Sequence, residues 1–238
     1  NIPRVGPWGH LWSLSVEEHF YLLFPLLIVA FRKHQKSLIA LCSLICLAAL
    51  LWRFNVYYNL QFPSHYSYAA TEARIDSILY GCLFSLILNH ASDWKILKRF
   101  LGFAPLAIAT IVMLLCLLYR DEGFRQTIRY SLQGIAIGVL ILNLYYFKTM
   151  SVFIRLLEFR PLRWTGKVSY GLYLWHIPAM FAVNQYLGYE EATVSFILIT
   201  YSLTFLVTAV SFYYIEKPFI ALRHKYGSHK LDRDKNMG

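Results

Sequence analysis

The sequence predicts an all-α protein, a polytopic transmembrane helical bundle of about seven spans. Three observations carry that expectation. The chain has 238 residues, 58% of them hydrophobic and only 15% charged, with a mean hydropathy of +0.46. A soluble core of that size cannot hide so much apolar surface, so the excess must face lipid. Its apolar stretches approach the length needed to cross roughly 30 Å of hydrocarbon at about 1.5 Å per helical residue. These stretches also lack the two-residue alternation of a membrane barrel, as the run Ile108-Ala109-Thr110-Ile111-Val112-Met113-Leu114-Leu115 illustrates. An aromatic content of 17% excludes intrinsic disorder.

The spans follow in order. Leu11–Phe31 is the first, and Pro25 within it is expected to bend the helix, because proline removes a backbone donor and crowds the preceding turn. Ser37–Trp52 and Ile75–Asn89 are short and are expected to extend into their flanks. Phe100–Tyr119 holds the apolar run just quoted. Tyr130–Phe147 carries Gly134 and Gly138, a GxxxG pattern that lets helices approach closely, and Asn143, a residue type that glues helices together. Val168–Leu187 contains His176 and Pro178, with Asn184 and Gln185 read like Asn143. Val194–Ile215 closes the set, and Glu216-Lys217-Pro218 is expected to stop it with an ion pair at the interface.

Seven crossings sort the connecting segments into two sets. Residues 32–36, 90–99, 148–167 and 216–238 hold 17 of the 23 Lys and Arg, whereas 1–10, 53–74, 120–129 and 188–193 hold 6. The positive-inside rule places the richer set, and with it the C-terminus, in the cytoplasm of a plasma (inner) membrane protein. The net charge of +10 is therefore topological and no sign of nucleic-acid binding. Trp52, Tyr57, Trp94, Tyr145, Tyr146, Tyr213 and Tyr214 sit at span ends, where aromatic rings anchor at the interface. Residues 1–220 read as the membrane domain and 221–238 as a polar cytoplasmic tail. Cys42, Cys46, Cys82 and Cys116 all lie in apolar runs, which argues for small helix fillers and against a disulfide framework or a zinc site. The chain opens Asn-Ile-Pro with no visible signal peptide, and an outer-face start suggests that further helices precede it.

Ionisable groups in or beside spans are costly, which makes them the place to look for function. His10, Glu17, Glu18 and His19 crowd the first span. Ser15-Val16-Glu17-Glu18 fits a capping box with Ser15 as N-cap and Glu18 at N3. That duty leaves Glu17 unexplained, and Tyr21, four residues on, shares its face and would shield it. No metal-ligand spacing joins these residues. Arg74 and Asp76 are two apart, cannot face each other on a helix, and each needs another partner. Glu72 and Asp76, four apart, would share a face and favour an external cation or a shared proton. His176 lies about eight residues, roughly 12 Å, into its span, flanked by Tyr173 and Trp175 and next to the kink expected at Pro178.

Four motifs in order resemble the membrane acyltransferase-3 family of bacterial surface-glycan O-acetyltransferases. They are Leu11-Trp12-Ser13-Leu14-Ser15-Val16-Glu17-Glu18-His19-Phe20-Tyr21-Leu22, then Arg74-Ile75-Asp76 with Gly81, then Ser169-Tyr170-Gly171-Leu172-Tyr173-Leu174-Trp175-His176, and Ile215-Glu216-Lys217-Pro218-Phe219. The resemblance implies a ten-helix domain of which this chain supplies the last seven. It also implies a first helix with an arginine and a histidine ten residues apart, and an early Arg-x-x-Arg loop, neither of which occurs here. It implies an acyl donor such as acetyl-coenzyme A on the cytoplasmic side, with no permanently bound cofactor, and a sugar hydroxyl as acceptor on the outer face, for instance on lipopolysaccharide.

The leading expectation is an O-acyltransferase, because a hydroxyl attacking an acyl carbonyl needs a base and oxyanion donors. Glu17, Glu18 and His176 are the candidate catalytic residues. Trp12, Ser13, Ser15, His10, Arg74, Asp76, Tyr173 and Trp175 are the candidate substrate contacts. An acylated Ser13 or Ser15 is disfavoured because no neighbouring sequence activates either. A glycan or acyl-lipid transporter and an inactive sensor subunit are the alternatives; kinked helices with intramembrane charge serve translocation too, although no inverted repeat is visible.

Overall fold

A computed structural model describes residues 7–90, 99–146, 151–188 and 193–226. Among them every regular element is helical. The chain divides into two compact units, one comprising Trp12–Arg155 and the other Asn1–Leu11 with Leu156–Gly238.

In the first unit α1 spans Trp12–Ala30 and α2 spans Gln35–Phe54, which continues as a π-helical turn over Asn55–Leu60. Three short helices, α3 (Ser64–Ala69), α4 (Thr71–Arg74) and α5 (Asp76–His90, the longest of the three), follow without a long loop. Then come α6 (Phe103–Leu118), α7 (Glu122–Gln126), α8 (Arg129–Tyr146) and α9 (Ser151–Leu157). The core gathers Phe20 of α1, Leu38, Cys42 and Cys46 of α2, and Leu79 and Leu83 of α5. The four cysteines are free thiols, three of them buried, as expected of helix fillers. Helix α5 packs against both α2 and α8, and α8 pairs with α6. The two glycines of α8 explain the close approach to α5: a Cβ at Gly134 would strike the Tyr80 ring, and one at Gly138 the Phe84 ring. Asn143 is the glue its type suggests. Fully buried, it accepts from the Gly102 N–H (2.9 Å) and donates to the Phe100 carbonyl (2.7 Å), tying α8 to the turn before α6.

The second unit contains α10 (Arg160–Lys167), α11 (Ser169–Leu187), α12 (Val194–Ser211), a π-helical turn over Phe212–Glu216, and α13 (Lys217–Tyr226). Helices α11 and α12 pair closely where Gly171 leaves room: a Cβ there would lie 3.0 Å from Thr208 Cγ2 and 3.3 Å from Glu216 Oε1.

Three helical segments, Gly9–Ala30, Gln35–Leu60 and Val194–Leu222, are long and apolar enough to cross a membrane. Asp76–Leu88 and Phe103–Leu118 are apolar but shorter. The outward faces fit lipid: α6 exposes Ile108, Ile111, Leu114, Leu115, Leu117 and Leu118 while burying Ala109 and Cys116. The count of seven spans is not established by helix length and hydropathy, because α8 carries Arg129, Gln133 and Asn143, and α11 carries His176, Asn184 and Gln185.

Several local expectations are corrected. Helix α1 begins at Trp12, preceded by a 3-10 turn over Gly9–Leu11, so Ser15 is its fourth residue and cannot be an N-cap. The capping box falls with it. Helices α1 and α11 run on through Pro25 and Pro178 without ending there, which is compatible with the bends expected at both prolines. Pro218 does not stop the chain either: it is the second residue of α13, behind a π-helical turn, where a missing N–H is tolerated. Lys217 lies over the Tyr213 ring, 5.5 Å from its centroid, and makes no ion pair with Glu216. Tyr145, Tyr213 and Tyr214 are exposed at helix ends, as interfacial anchors would be, whereas Trp94 lies outside the described residues, as does the tail from 227 onward.

Candidate functional site

Some of the residues singled out from the sequence meet in two clusters, one in each unit, while Ser13, Ser15, Glu17 and Glu18 lie along α1. In the Trp12–Arg155 unit the centre is a buried ion pair. Arg53, near the end of α2, and Asp76, the first residue of α5, are both 0% exposed. The guanidinium meets the carboxylate bidentately, Nη1 to Oδ1 at 2.9 Å and Nη2 to Oδ2 at 2.7 Å. Its remaining N–H groups donate to the Ala73 carbonyl (2.6 Å), the Thr127 carbonyl (3.0 Å) and Ser131 Oγ (2.7 Å). Ser131 in turn donates to Asp76 Oδ2 at 3.3 Å. All the donors of this guanidinium are used, the condition under which a buried pair offsets its desolvation.

This arrangement answers the need for partners read at Asp76, but not in the way the spacing suggested. Glu72 is exposed and Asp76 fully buried, and each carboxylate has a partner of its own. Glu72 accepts a short hydrogen bond from the Tyr66 hydroxyl, which pushes that phenol above its ordinary pKa, and Asp76 takes Arg53. The expected external cation is not needed. Sequence reasoning missed Arg53; the signal was a lone arginine closing an apolar helix while Asp76 lacked a counter-charge. With both carboxylate oxygens holding protein donors, Asp76 joins α2, α5 and α8.

Arg74 is different. Its guanidinium stacks on Tyr130, 4.0 Å from the ring centroid, and stands 5.9 Å from that of Trp12, which itself packs on Tyr68 at 4.6 Å. Burial draws Arg74 below its ordinary pKa, yet arginine starts so high that it stays charged at neutral pH. Its Nη1 is buried with no hydrogen-bond partner, as is Nε of Arg129. Leaving such a donor unsatisfied costs on the order of 1–3 kcal/mol. On α1, Ser13 and Glu17 are half-buried, Ser15 and Glu18 are exposed, and His19 meets Thr71 Oγ1 at 3.1 Å. Tyr21, four residues after Glu17, is 60% exposed.

The second cluster joins His10 to α11. The His10 and His176 rings are 5.1 Å apart, Tyr173 lies 5.3 Å from His10, and the Tyr173 hydroxyl donates to the His10 carbonyl at 2.5 Å. Trp8 and Trp175 meet edge to face at 6.2 Å. His176 Nδ1 lies 2.6 Å from the Tyr173 carbonyl. A carbonyl only accepts, so Nδ1 is the donor, and in the neutral ring Nε2 is then the acceptor. Both ring nitrogens of His10 and the indole N–H of Trp175 are buried without hydrogen-bond partners. A proton acceptor of fixed tautomer beside unsatisfied polar atoms suits proton transfer to or from a bound hydroxyl. The pairing of His10 with His176, 166 positions apart, is not legible in the sequence.

Helices of membrane-spanning length point to a membrane protein, and its two buried polar clusters have the makings of group-transfer chemistry. The family model described as an acyltransferase domain matches residues 1–216, and the chain belongs to that family, the membrane acyltransferase-3 family. It is 28% identical over 220 residues to the peptidoglycan O-acetyltransferase OatA of Listeria monocytogenes, covering 90% of this chain and 35% of the relative. The putative peptidoglycan O-acetyltransferase YrhL of Bacillus subtilis is 30% identical over 221 residues, covering 90% and 34%. The O-acetyltransferase OatA of Staphylococcus aureus is 27% identical over 223 residues, covering 90% and 36%. The chain thus spans about a third of the length of these relatives. No solved structure matches it significantly.

Proposed function

We propose that the protein is a membrane O-acyltransferase that moves an acetyl or short acyl group from a cytoplasmic acyl-coenzyme A to a hydroxyl of a cell-envelope glycan. The family match over residues 1–216, which contains all the candidate residues, is the observation that carries the proposal. The relatives' names favour peptidoglycan or its lipid-linked precursor over lipopolysaccharide as acceptor. In the reaction the hydroxyl oxygen bonds to the thioester carbonyl carbon, the carbon–sulfur bond breaks, and the coenzyme A thiol leaves. A base must take the hydroxyl proton, and positive or N–H groups must meet the oxyanion. Glu17 is proposed as that base. His176, with Nε2 held as an acceptor, is proposed to pass or stabilise the acyl group. Glu18, Trp12, Ser13, Ser15 and Arg74 are proposed as substrate contacts of the Trp12–Arg155 unit, and His10, Tyr173 and Trp175 as substrate contacts of the other unit. The protein is proposed to lie in the bacterial plasma membrane with residues 216–238 on the cytoplasmic side, on the strength of the division of basic residues.

Reconstitution of the full-length protein in proteoliposomes with radiolabelled acetyl-coenzyme A and peptidoglycan tests the reading. Base-labile label on the glycan, lost in His176→Gln, is expected. Glycan moved across the bilayer without label would identify a carrier instead.

A further inference from the structure

The segments poor in basic residues hold Arg4, Arg53, Arg74, Arg120, Arg125 and Arg129 and no lysine, whereas all ten lysines of the chain lie in the rich segments. Lysine suffices to orient a membrane protein; arginine adds a planar fork that grips oxyanions. Four of these six arginines converge. The Tyr130 ring has Arg74 at 4.0 Å, Arg129 at 5.1 Å and Arg53 at 5.5 Å, and Arg129 Nη2 stands 3.4 Å from its hydroxyl. Tyr130 and Arg129 open onto a cleft of about 380 Å³ that Arg125, His65, Ser64, Tyr68, Gln126 and Glu122 also line.

The carboxylates nearby each have a partner other than these arginines, Glu122 within the cleft itself. Asp76 is taken by Arg53, and Glu72 by Tyr66. Asp121 caps α7 through the Phe124 N–H at 2.7 Å, and Glu122 accepts from the Gln126 amide at 2.9 Å. Among the described residues the one ion pair is Arg53–Asp76, so Arg74, Arg125 and Arg129 have no carboxylate partner. Two of the three also keep a buried, unsatisfied N–H: Nη1 of Arg74 and Nε of Arg129. Arg53 shows what a structural guanidinium looks like here, with every donor used. Its neighbours depart from that pattern in the direction of a missing anion.

We propose that this cleft is an oxyanion subsite for the acceptor, binding a carboxylate or phosphate that the glycan carries. Arg129 and Arg125 grip the anion, and Arg74, stacked on Tyr130, strengthens the positive field. The proposal rests on the acyltransferase reading for the identity of the acceptor, and deepens it: an anionic glycan is selected over a neutral one. The acceptor is favoured over the donor because the cleft is built from residues 64–68 and 122–130, which fall on the side opposite the cytoplasmic segments in the topology the charges predict. Anionic groups of coenzyme A would meet the lysine-rich side first.

Equilibrium binding to the full-length protein in nanodiscs tests this, using soluble peptidoglycan fragments with free carboxylates, the same fragments with their carboxylates amidated, inorganic phosphate, and coenzyme A. The free-carboxylate fragments are expected to bind at least about tenfold tighter than the amidated ones, with the gap closing as salt is raised. Inorganic phosphate should compete with the former only. Arg129→Gln should bring the two fragments to equal affinity, Arg129→Lys should keep part of the gap because the charge remains, and neither should move coenzyme A affinity. Should Arg129→Gln fail to fold, Arg125→Gln, at an exposed position of the same cleft, reads the same gap. Equal binding of both fragments by the unmodified protein overturns the subsite; weakened coenzyme A binding in Arg129→Gln with fragment binding intact overturns it in favour of the donor. Charge-dependent binding by a protein that transfers no acyl group keeps the subsite and removes the enzyme reading. Transfer with no preference for charge does the reverse.

Discussion

Arg53 and Arg74 are 21 positions apart, carry the same side chain and approach the same tyrosine ring, yet they have opposite prospects. Every N–H of Arg53 is bonded to protein, so its removal is a stability event. Arg53→Met strands Asp76 as a buried, unpaired carboxylate, which is expected to cost about 3–5 kcal/mol. Replacing both partners, as in Arg53→Met with Asp76→Leu, removes the charge and should recover much of that loss. Thermal unfolding in detergent decides it: a single variant as stable as the unmodified protein would show that the pair holds nothing. On α1 the loss of the capping box changes the argument for the two glutamates but not its direction. Glu17 is half-buried and Glu18 exposed, so Glu17→Gln is expected to lower acetyl transfer at least about a hundredfold, as loss of a general base does, with Glu18→Gln retaining most activity. Assays at matched membrane expression separate the two, and loss confined to Glu18→Gln would reverse the assignment.

Helix α8 shows how packing turns a weak sequence pattern into a specific one. GxxxG occurs often by chance, but here the two glycines receive Tyr80 and Phe84, themselves four residues apart on α5. Gly138→Val drives a side chain into the Phe84 ring and is expected to cost about 1–3 kcal/mol by overpacking. Phe84→Ala in the same chain opens the space, so the double variant should be more stable than the sum of the singles predicts. Gly81 is the control: a Cβ there meets nothing within 4 Å, and Gly81→Ala should leave stability unchanged or raise it by up to about 1 kcal/mol. A melting temperature for Gly138→Val no lower than that for Gly81→Ala would refute the fit. At this scale the helices were largely legible. The expected span Leu11–Phe31 is helical over Trp12–Ala30, and Val194–Ile215 over Val194–Ser211 with a π-helical turn beyond, because apolar runs long enough to bury in lipid leave the backbone one way to satisfy its hydrogen bonds. Boundaries that hung on single residues were not. Ser15 and Pro218 carry local preferences worth about 1 to 3 kcal/mol, which contacts along a continuous helix override.

Across the whole chain, what the sequence could not convey is which distant residues meet. A lone arginine closing an apolar helix hints that Arg53 needs a counter-charge, but neither its pairing with Asp76 nor that of His10 with His176 is fixed locally, since each depends on how segments far apart in the chain come together. Charge, by contrast, is summed over connecting segments and needs no knowledge of packing, which is why topology can be argued from sequence alone. The cleft adds a geometric argument, because residues 64–68 and 122–130, assigned by charge to one side, do come together at one place. The 17-to-6 division of basic residues predicts that this side is the outer one. Single cysteines on a background lacking Cys42, Cys46, Cys82 and Cys116 make this measurable in whole cells with a membrane-impermeant thiol reagent. Phe62→Cys, exposed between α2 and α3, should label from outside, and Arg160→Cys, exposed at the start of α10, should label only after the cells are opened. Phe62 and Arg160 bear on opposite ends of the charge argument, so each checks the other. Labelling of both from outside would break the odd number of crossings between them. Labelling of Arg160→Cys alone would invert the protein, moving the arginine cleft to the cytoplasmic face, where the donor and not the acceptor would be the anion it meets.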